Sequence, residues 1–149
     1  MSRDRLIGAW KLLSAEFLGI NGKTVYLWGK NPKGILIYHS SGYVSAQIMN
    51  PDRPKFSSRD NLKGTPEETK FAFDGYQAYF GTYEMDEEAK TVVHRISGNL
   101  FPNAVDIVLK RFYKFSGNDR LILSTPTMSM GGKRVTGSLI WERISSSAE

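Results

Sequence analysis

Three ionisable residues, Glu16, His94 and Arg111, fall on strand faces that their apolar neighbours mark as interior. His94, for example, shares its face with Val92 and Ile96 in a short alternating segment. Successive side chains of a strand point to opposite faces, so all three are predicted to point into one apolar interior. A charged side chain in such an interior must be paired or must bind something.

The chemistry that these three residues offer is proton transfer without a cofactor. His94 is suited to act as a general acid or base near neutral pH. Arg111 is suited to hold a carboxylate, enolate or phenolate oxygen, and Glu16 to orient His94 or to act as a base. The cluster therefore predicts a cofactor-free isomerase, cyclase or dehydratase. Two structural alternatives remain open: His94 is a hydrogen-bonded core residue, and Arg111 forms an internal salt bridge with Glu16.

The same interior faces supply candidate ligand contacts. Tyr38 and Gln47 are expected to give neutral hydrogen bonds, and aromatic side chains are expected to line the cavity. The complete set of predicted ligand-binding residues is Tyr38, Gln47, Tyr79, Tyr113 and Trp141.

Composition argues against several other classes of site. The chain has no cysteine and two histidines, so a metal site is not expected. It also lacks a glycine-rich phosphate loop before a helix and a nucleophile elbow. The formal net charge is +5, but the basic residues are scattered, so nucleic acid is not an expected partner. A basic rim that attracts an anionic ligand is a better use of this charge.

Short alternating segments separated by turn residues predict an all-β, antiparallel domain over residues 1–149. A meander of this kind closes into an up-and-down barrel of about 8–10 strands, since closure removes exposed edges. A two-sheet sandwich is the alternative. The nine predicted strands are residues 8–18, 24–28, 34–39, 43–49, 81–86, 91–97, 105–115, 120–124 and 135–144.

One amphipathic helix is predicted over residues 66–80, after a polar loop at 50–64. Thr65 and Glu68 have the spacing of a capping box, and Pro66 suits the first helical position. An apolar stripe that continues to Tyr79 suggests a lid or plug on the barrel. Residues 145–149 are expected to be a disordered tail.

Several motifs resemble one known family, the lipocalin-like domain proteins of bacteria and fungi. Gly8 and Trp10 match the G-x-W signature of the lipocalin superfamily. The other matching stretches are LIY at 36–38, GYVSAQ at 42–47, PDRP at 51–54, FDGYQAYFGTY at 73–83, residues 94–103 ending in GNLFPN, and LIWER at 139–143. The resemblance implies a lipocalin-like β-barrel in which Arg143 packs across Trp10 and closes one end. It also implies, for some relatives, a place in natural-product pathways.

The expected partner is therefore a small apolar or amphipathic molecule inside the barrel. Two functions compete: the cofactor-free enzyme described above, and a carrier or sensor that binds without turnover. A third alternative uses the barrel exterior for interactions and predicts an interior without a cavity. The start of the chain lacks a signal-peptide core, and no segment reaches the ~20 apolar residues of a spanning helix. A cytoplasmic location is expected, no membrane span is expected, and a homodimer stays open.

Overall fold

The computed structural model describes residues 2–145, which form a closed antiparallel β-barrel, as predicted. Eight consecutive neighbours make the barrel, and β1 pairs with β10 to close it. The barrel strands are β1 (Gly8–Gly19), β3 (Lys33–Tyr38), β4 (Tyr43–Met49), β5 (Tyr76–Asp86), β6 (Thr91–Asn99), β7 (Val108–Ser116), β8 (Arg120–Ser124) and β10 (Lys133–Arg143). Two short strands, β2 (Thr24–Val25) and β9 (Met128–Met130), extend the sheet beside β1 and β10.

The strand boundaries agree closely with the alternation in the sequence, and the larger differences concern β2, β9, β7 and β5, which begins at Tyr76 rather than at residue 81. The segment 24–28 contributes only the two residues of β2, and β9 was not predicted. The segment before β7 contains a short 3-10 helix, Pro102–Ala104, so this strand begins at Val108 rather than at residue 105. Of the predicted disordered tail, residues 146–149 lie outside the described part of the chain.

A β-bulge in β1 corrects the prediction that Glu16 points inward. Leu12 pairs with Trp141 and Ser14 with Ile140, so Leu13 is an extra residue on the β1 side. A bulge reverses the alternation beyond it. Trp10 and Leu12 face the interior before it, and Ala15 and Phe17 after it. Glu16 is consequently exposed on the outside of the barrel, and the prediction is wrong.

A second bulge shapes the strand pair that carries His94. Phe80 pairs with Gly98 and Gly81 with Ile96, which leaves Ser97 as the extra residue of β6. The two backbones approach so closely here that a Cβ on Gly81 would collide with the Arg95 carbonyl group. A glycine is therefore required at position 81.

One end of the barrel is closed by a short helix, α1 (Ser2–Leu6), that the sequence did not predict. Leu6 is fully buried, and the Trp10 indole N–H donates to its carbonyl oxygen at 2.9 Å. The Arg143 guanidinium lies 4.3 Å from the centre of the Trp10 ring. The same guanidinium donates to the carbonyl oxygens of Ile7 and Arg5, so it joins the last strand to the chain entering the first.

The predicted helix is shorter than expected. Helix α2 spans Pro66–Asp74, with the predicted capping box between Thr65 and Glu68. Gly75 completes the last turn by donating to the Phe71 carbonyl, and the helix ends there because Tyr76 begins β5 by pairing with Met49. Residues 75–80 therefore do not belong to the helix. Among residues 2–145, no helix is long and apolar enough to cross a membrane.

The closed end generates a prediction about stability. Arg143→Ala removes the donor from two backbone carbonyls and the cation–π contact with Trp10, and we expect it to lower the free energy of unfolding by about 2–3 kcal/mol. Arg134→Ala is the matched control, because Arg134 is exposed on the same strand and should change stability by less than about 0.5 kcal/mol. Urea unfolding of both variants checks this. Equal losses would mean that Arg143 contributes nothing specific.

Candidate functional site

The barrel encloses a cavity of about 770 Å³ that opens at the end opposite α1. Cavities of this size hold small organic molecules. Inward side chains of the strands make most of the wall apolar, including Phe17, Leu36, Ile48, Leu139 and Trp141. The interior is thus not packed solid, which argues against the alternative that only the exterior is functional.

The mouth of the cavity consists of Phe73, Leu100, Phe101, Met128 and Met130, all of which line it and are at least partly exposed. Phe73 is on α2, no residue of which is buried, so the helix borders the opening rather than filling it. None of these residues was predicted from the sequence as a ligand contact. Their signal was present in the apolar pair Leu100–Phe101 and in the alternation of Met128 with Met130.

The polar part of the cavity wall is built around His94. The Nε2 atom of its ring lies 2.7 Å from the Tyr38 hydroxyl, and the Nδ1 atom lies 2.8 Å from the Tyr79 hydroxyl. The three residues come from β3, β5 and β6, so barrel closure brings them together. Tyr79 and His94 line the cavity, whereas Tyr38 is fully buried behind them.

The direction of these hydrogen bonds depends on whether the Tyr38 and Tyr79 hydroxyls have acceptors other than His94. Within residues 2–145, the buried Tyr38 hydroxyl contacts no acceptor other than His94. A buried donor without an acceptor costs about 1–3 kcal/mol, so the Tyr38 O–H donates to Nε2. Nδ1 then carries the ring proton and donates to the Tyr79 oxygen. The Tyr79 hydroxyl hydrogen is left free to point into the cavity.

The ionisation of the cluster agrees with this direction. Burial, together with the positive charge of Arg111, lowers the pKa of His94 from 6.5 to about 3. The ring is therefore neutral near pH 7 and carries one N–H. Burial raises the pKa of the Tyr38 and Tyr79 hydroxyls, so both stay protonated.

Arg111 lines the cavity from β7, on the inward face that the sequence predicted. Its hydrogen bond is to the neighbouring Lys110 carbonyl, at 3.0 Å. None of the ion pairs found in residues 2–145 includes Arg111. Glu16 is outside the barrel, so the internal Glu16–Arg111 salt bridge does not form. Arg111 therefore presents an unpaired positive charge to the cavity.

The other predicted ligand contacts divide into three groups. Trp141 lines the cavity. Tyr113 points inward but packs in the core beside Phe115, apart from the cavity lining. Gln47 is exposed and accepts a hydrogen bond from Tyr76, because Ala46 and Ile48 occupy the inward positions of β4. The prediction that Gln47 faces the ligand is therefore wrong.

The residues of the described part of the chain offer no group of three or more histidine, cysteine or carboxylate side chains that could hold a metal ion.

An eight-stranded barrel that closes around an open apolar cavity with a small polar wall defines a class of small-molecule-binding proteins. The chain belongs to the lipocalin-like domain family, whose model matches residues 7–144. Family membership and fold both agree with the resemblance found in the sequence motifs.

Individual proteins are also similar to this chain. The 4'-hydroxy-3'-methoxypropiophenone carrier protein ppsC of Aspergillus oryzae (strain ATCC 42149 / RIB 40) is 25% identical over 107 residues, which cover 68% of this chain and 96% of that protein. A de novo designed fluorescence-activating β-barrel superimposes with a TM-score of 0.46 at 11% identity, covering 96% of this chain and 97% of the design.

The lowered pKa of His94 predicts a specific loss of stability in acid. The unfolded chain takes up a proton at His94 below about pH 6.5, whereas the folded chain does so only near pH 3, so protonation favours unfolding between these values. Between pH 7 and pH 4.5 the His94 contribution falls on the order of 2 kcal/mol. His94→Gln should be less sensitive to this pH change than the wild type in urea unfolding. His39→Gln, at an exposed turn, should keep the wild-type sensitivity. Equal pH dependence in all three proteins would contradict the buried, neutral His94.

Proposed function

We propose that the protein carries a small, largely apolar molecule in the barrel and releases it unchanged. The observation that supports this most directly is a cavity into which Tyr79 and Arg111 direct donors, while its lining carboxylate, Asp74, is ion-paired and both nitrogens of His94 are engaged. Tyr79 offers an O–H, and Arg111 offers guanidinium N–H groups. A ligand that matches these donors has an apolar body and at least one oxygen that accepts hydrogen bonds.

The relative from Aspergillus oryzae supports the same chemistry. Its name describes a carrier of 4'-hydroxy-3'-methoxypropiophenone, an aromatic ketone with a hydroxyl group. An aromatic ring suits the apolar wall, and each oxygen is an acceptor for Tyr79 or Arg111. At 25% identity the relative suggests this class of molecule. The polar wall of this barrel gives a physical reason why such a molecule would bind here.

Catalysis is the second candidate, and one observation favours it. Arg111 and Tyr79 are the kind of donors that stabilise an enolate, as a cofactor-free isomerase or cyclase requires. Such an enzyme also needs a base. Both ring nitrogens of His94 are engaged by tyrosines and its pKa is about 3. Glu16 is outside the barrel, and Asp74 on the cavity lining is paired with Lys70 at 2.6 Å. We therefore favour carriage.

The binding proposal is tested by filling the cavity. Ala46 is buried on the inward face of β4 and lines the cavity, so Ala46→Phe should weaken binding of 4'-hydroxy-3'-methoxypropiophenone about tenfold or more by occupying its space. Ser45→Phe adds the same ring to the neighbouring, outward position and should bind as the wild type does. Quenching of tryptophan fluorescence measures affinity, since Trp28 and Trp141 line the cavity.

Circular dichroism and thermal melting verify that the variants are folded. If Ala46→Phe does not fold, Ala104→Trp provides a second way to obstruct the cavity, because Ala104 lines it from a half-buried position next to β6. Wild-type affinity in a folded, obstructed variant would show that the ligand does not occupy the barrel.

Carriage and catalysis differ in what happens to the hydrogens next to the ketone. An enzyme that forms an enolate exchanges these hydrogens with solvent, so it would accelerate deuterium incorporation in D₂O. We expect the wild-type protein and Arg111→Met to give the same slow exchange as buffer, measured by NMR. Faster exchange with the wild type that disappears in Arg111→Met would favour the isomerase or cyclase instead.

A further inference from the structure

We infer that the ligand is held as an oxyanion, with its negative oxygen between the Arg111 guanidinium and the Tyr79 hydroxyl. This inference rests on the proposed function and deepens it by naming the chemical class of ligand. That class is an apolar, preferably aromatic molecule with one acidic oxygen, such as a phenol whose ring also carries an acyl group. On binding, the phenol O–H bond breaks, the electron pair stays on oxygen, and the proton passes to the buffer.

The charge inventory of the cavity supports an anion. The titratable or charged side chains that line it, among residues 2–145, are Asp74, Tyr76, Tyr79, His94 and Arg111. His94 and Tyr79 are neutral, and Asp74 is paired with Lys70. Arg111 is therefore a positive charge without an ion-pair partner among the described residues that line the cavity. Such a charge gains more from an anionic partner than from a neutral one.

The hydrogen-bond chain behind Tyr79 supports the same conclusion. Tyr38 donates to His94, His94 donates to the Tyr79 oxygen, and the Tyr79 hydrogen points to the cavity. Donation to the oxygen of a hydroxyl polarises its O–H bond and strengthens it as a donor. The wall thus directs a polarised donor and a cation into one cavity. This arrangement resembles the donor sets that stabilise oxyanions in enzymes, but here it acts on a ground-state ligand.

The charge of Arg111 already acts on its neighbours in the absence of a ligand. It lowers the pKa of His94, by disfavouring the imidazolium, and it opposes the burial that raises the pKa of Tyr79. At the Tyr79 hydroxyl burial outweighs this charge, so the net pKa of Tyr79 is raised. A ligand phenol is expected to ionise because its oxygen accepts hydrogen bonds from both the guanidinium and the Tyr79 hydroxyl, and such bonds favour the charged form. An opposite charge within about 4–6 Å lowers the pKa of an acid by about 1–3.

Absorption spectroscopy tests the inference, because an acyl phenolate absorbs at longer wavelength than its phenol. The probes are para-hydroxyacetophenone, its non-ionisable methyl ether, and para-acetylbenzoate, which carries a carboxylate instead. Each is titrated against the wild type and against Arg111→Met, Arg111→Lys, Tyr79→Phe and Lys114→Met. Lys114 is exposed on the same strand as Arg111, so Lys114→Met removes an equal charge from outside the cavity.

We expect the phenol bound to the wild type or to Lys114→Met to ionise at a pH lower than the free phenol by about 1–3. Arg111→Met should lose most of this shift and weaken phenol binding about tenfold or more, while the affinity of the methyl ether stays unchanged. Arg111→Lys should restore part of the shift, which a purely structural role for Arg111 would not explain. Tyr79→Phe should reduce the shift. Tighter binding of the benzoate than of the phenol would identify a carboxylate as the source of the oxyanion.

The failures of the two proposals are distinguishable. If phenol and ether bind the wild type equally and the bound phenol keeps its neutral spectrum, the oxyanion inference is overturned and the carrier proposal stands. If none of the three probes changes tryptophan fluorescence, both are overturned for this class of ligand. An ionisation shift equal in Arg111→Met and the wild type would also overturn the assignment of Arg111.

Discussion

Closure of the barrel by the pairing of β1 with β10 is the constraint on which the rest of the structure depends. In a closed barrel every strand residue points either to the interior or to the outside, because the sheet has no edge strand. The partners available to a polar side chain that points inward are then the other inward side chains. Tyr38, His94 and Tyr79 satisfy one another in this way, although they come from three different strands.

The hydrogen bonds among Tyr38, His94 and Tyr79 also determine whether a donor or an acceptor faces the cavity. Tyr38, the most deeply buried of the three, has no second acceptor among the described residues, so its hydroxyl donates to His94. His94 in turn donates to the Tyr79 oxygen. The chain therefore ends at the cavity in a donor. Arg111 adds a cation to the same wall, and no described carboxylate neutralises it there. In the proposed function, both features select a ligand that brings an acceptor oxygen.

The sequence predicted much of this arrangement, because alternation is a local signal. It identified the barrel, the inward faces of β6, β7 and β10, and the candidates His94 and Arg111. It failed where the alternation was interrupted. The extra residue Leu13 leaves no mark in composition, so the phase beyond it was inverted and Glu16 was placed inside. The helix was extended past Gly75 because Tyr76 and Tyr79 fit a helical spacing as well as the strand they occupy.

The pairing of His94 with two tyrosines was beyond the reach of the sequence for a different reason. Tyr38 and His94 are 56 residues apart, and their contact depends on the registers of all the intervening strand pairs. Glu16 lies outside the barrel, and both His94 nitrogens are engaged by tyrosines. These two findings weaken the case for the acid–base catalysis that the sequence predicted for the interior, and they support the proposal of carriage.

The most direct test of this account is the protonation state of the His94 ring, measured by ¹⁵N NMR of the folded protein through the couplings of the ring nitrogens to the carbon-bound protons. The account predicts a neutral ring at pH 7 with the proton on Nδ1, and no imidazolium until the pH approaches about 3. A proton on Nε2 would reverse the hydrogen-bond chain and remove the Tyr79 donor from the cavity. An imidazolium at pH 7 would contradict both the polarity of the site and the argument that it lacks a free base.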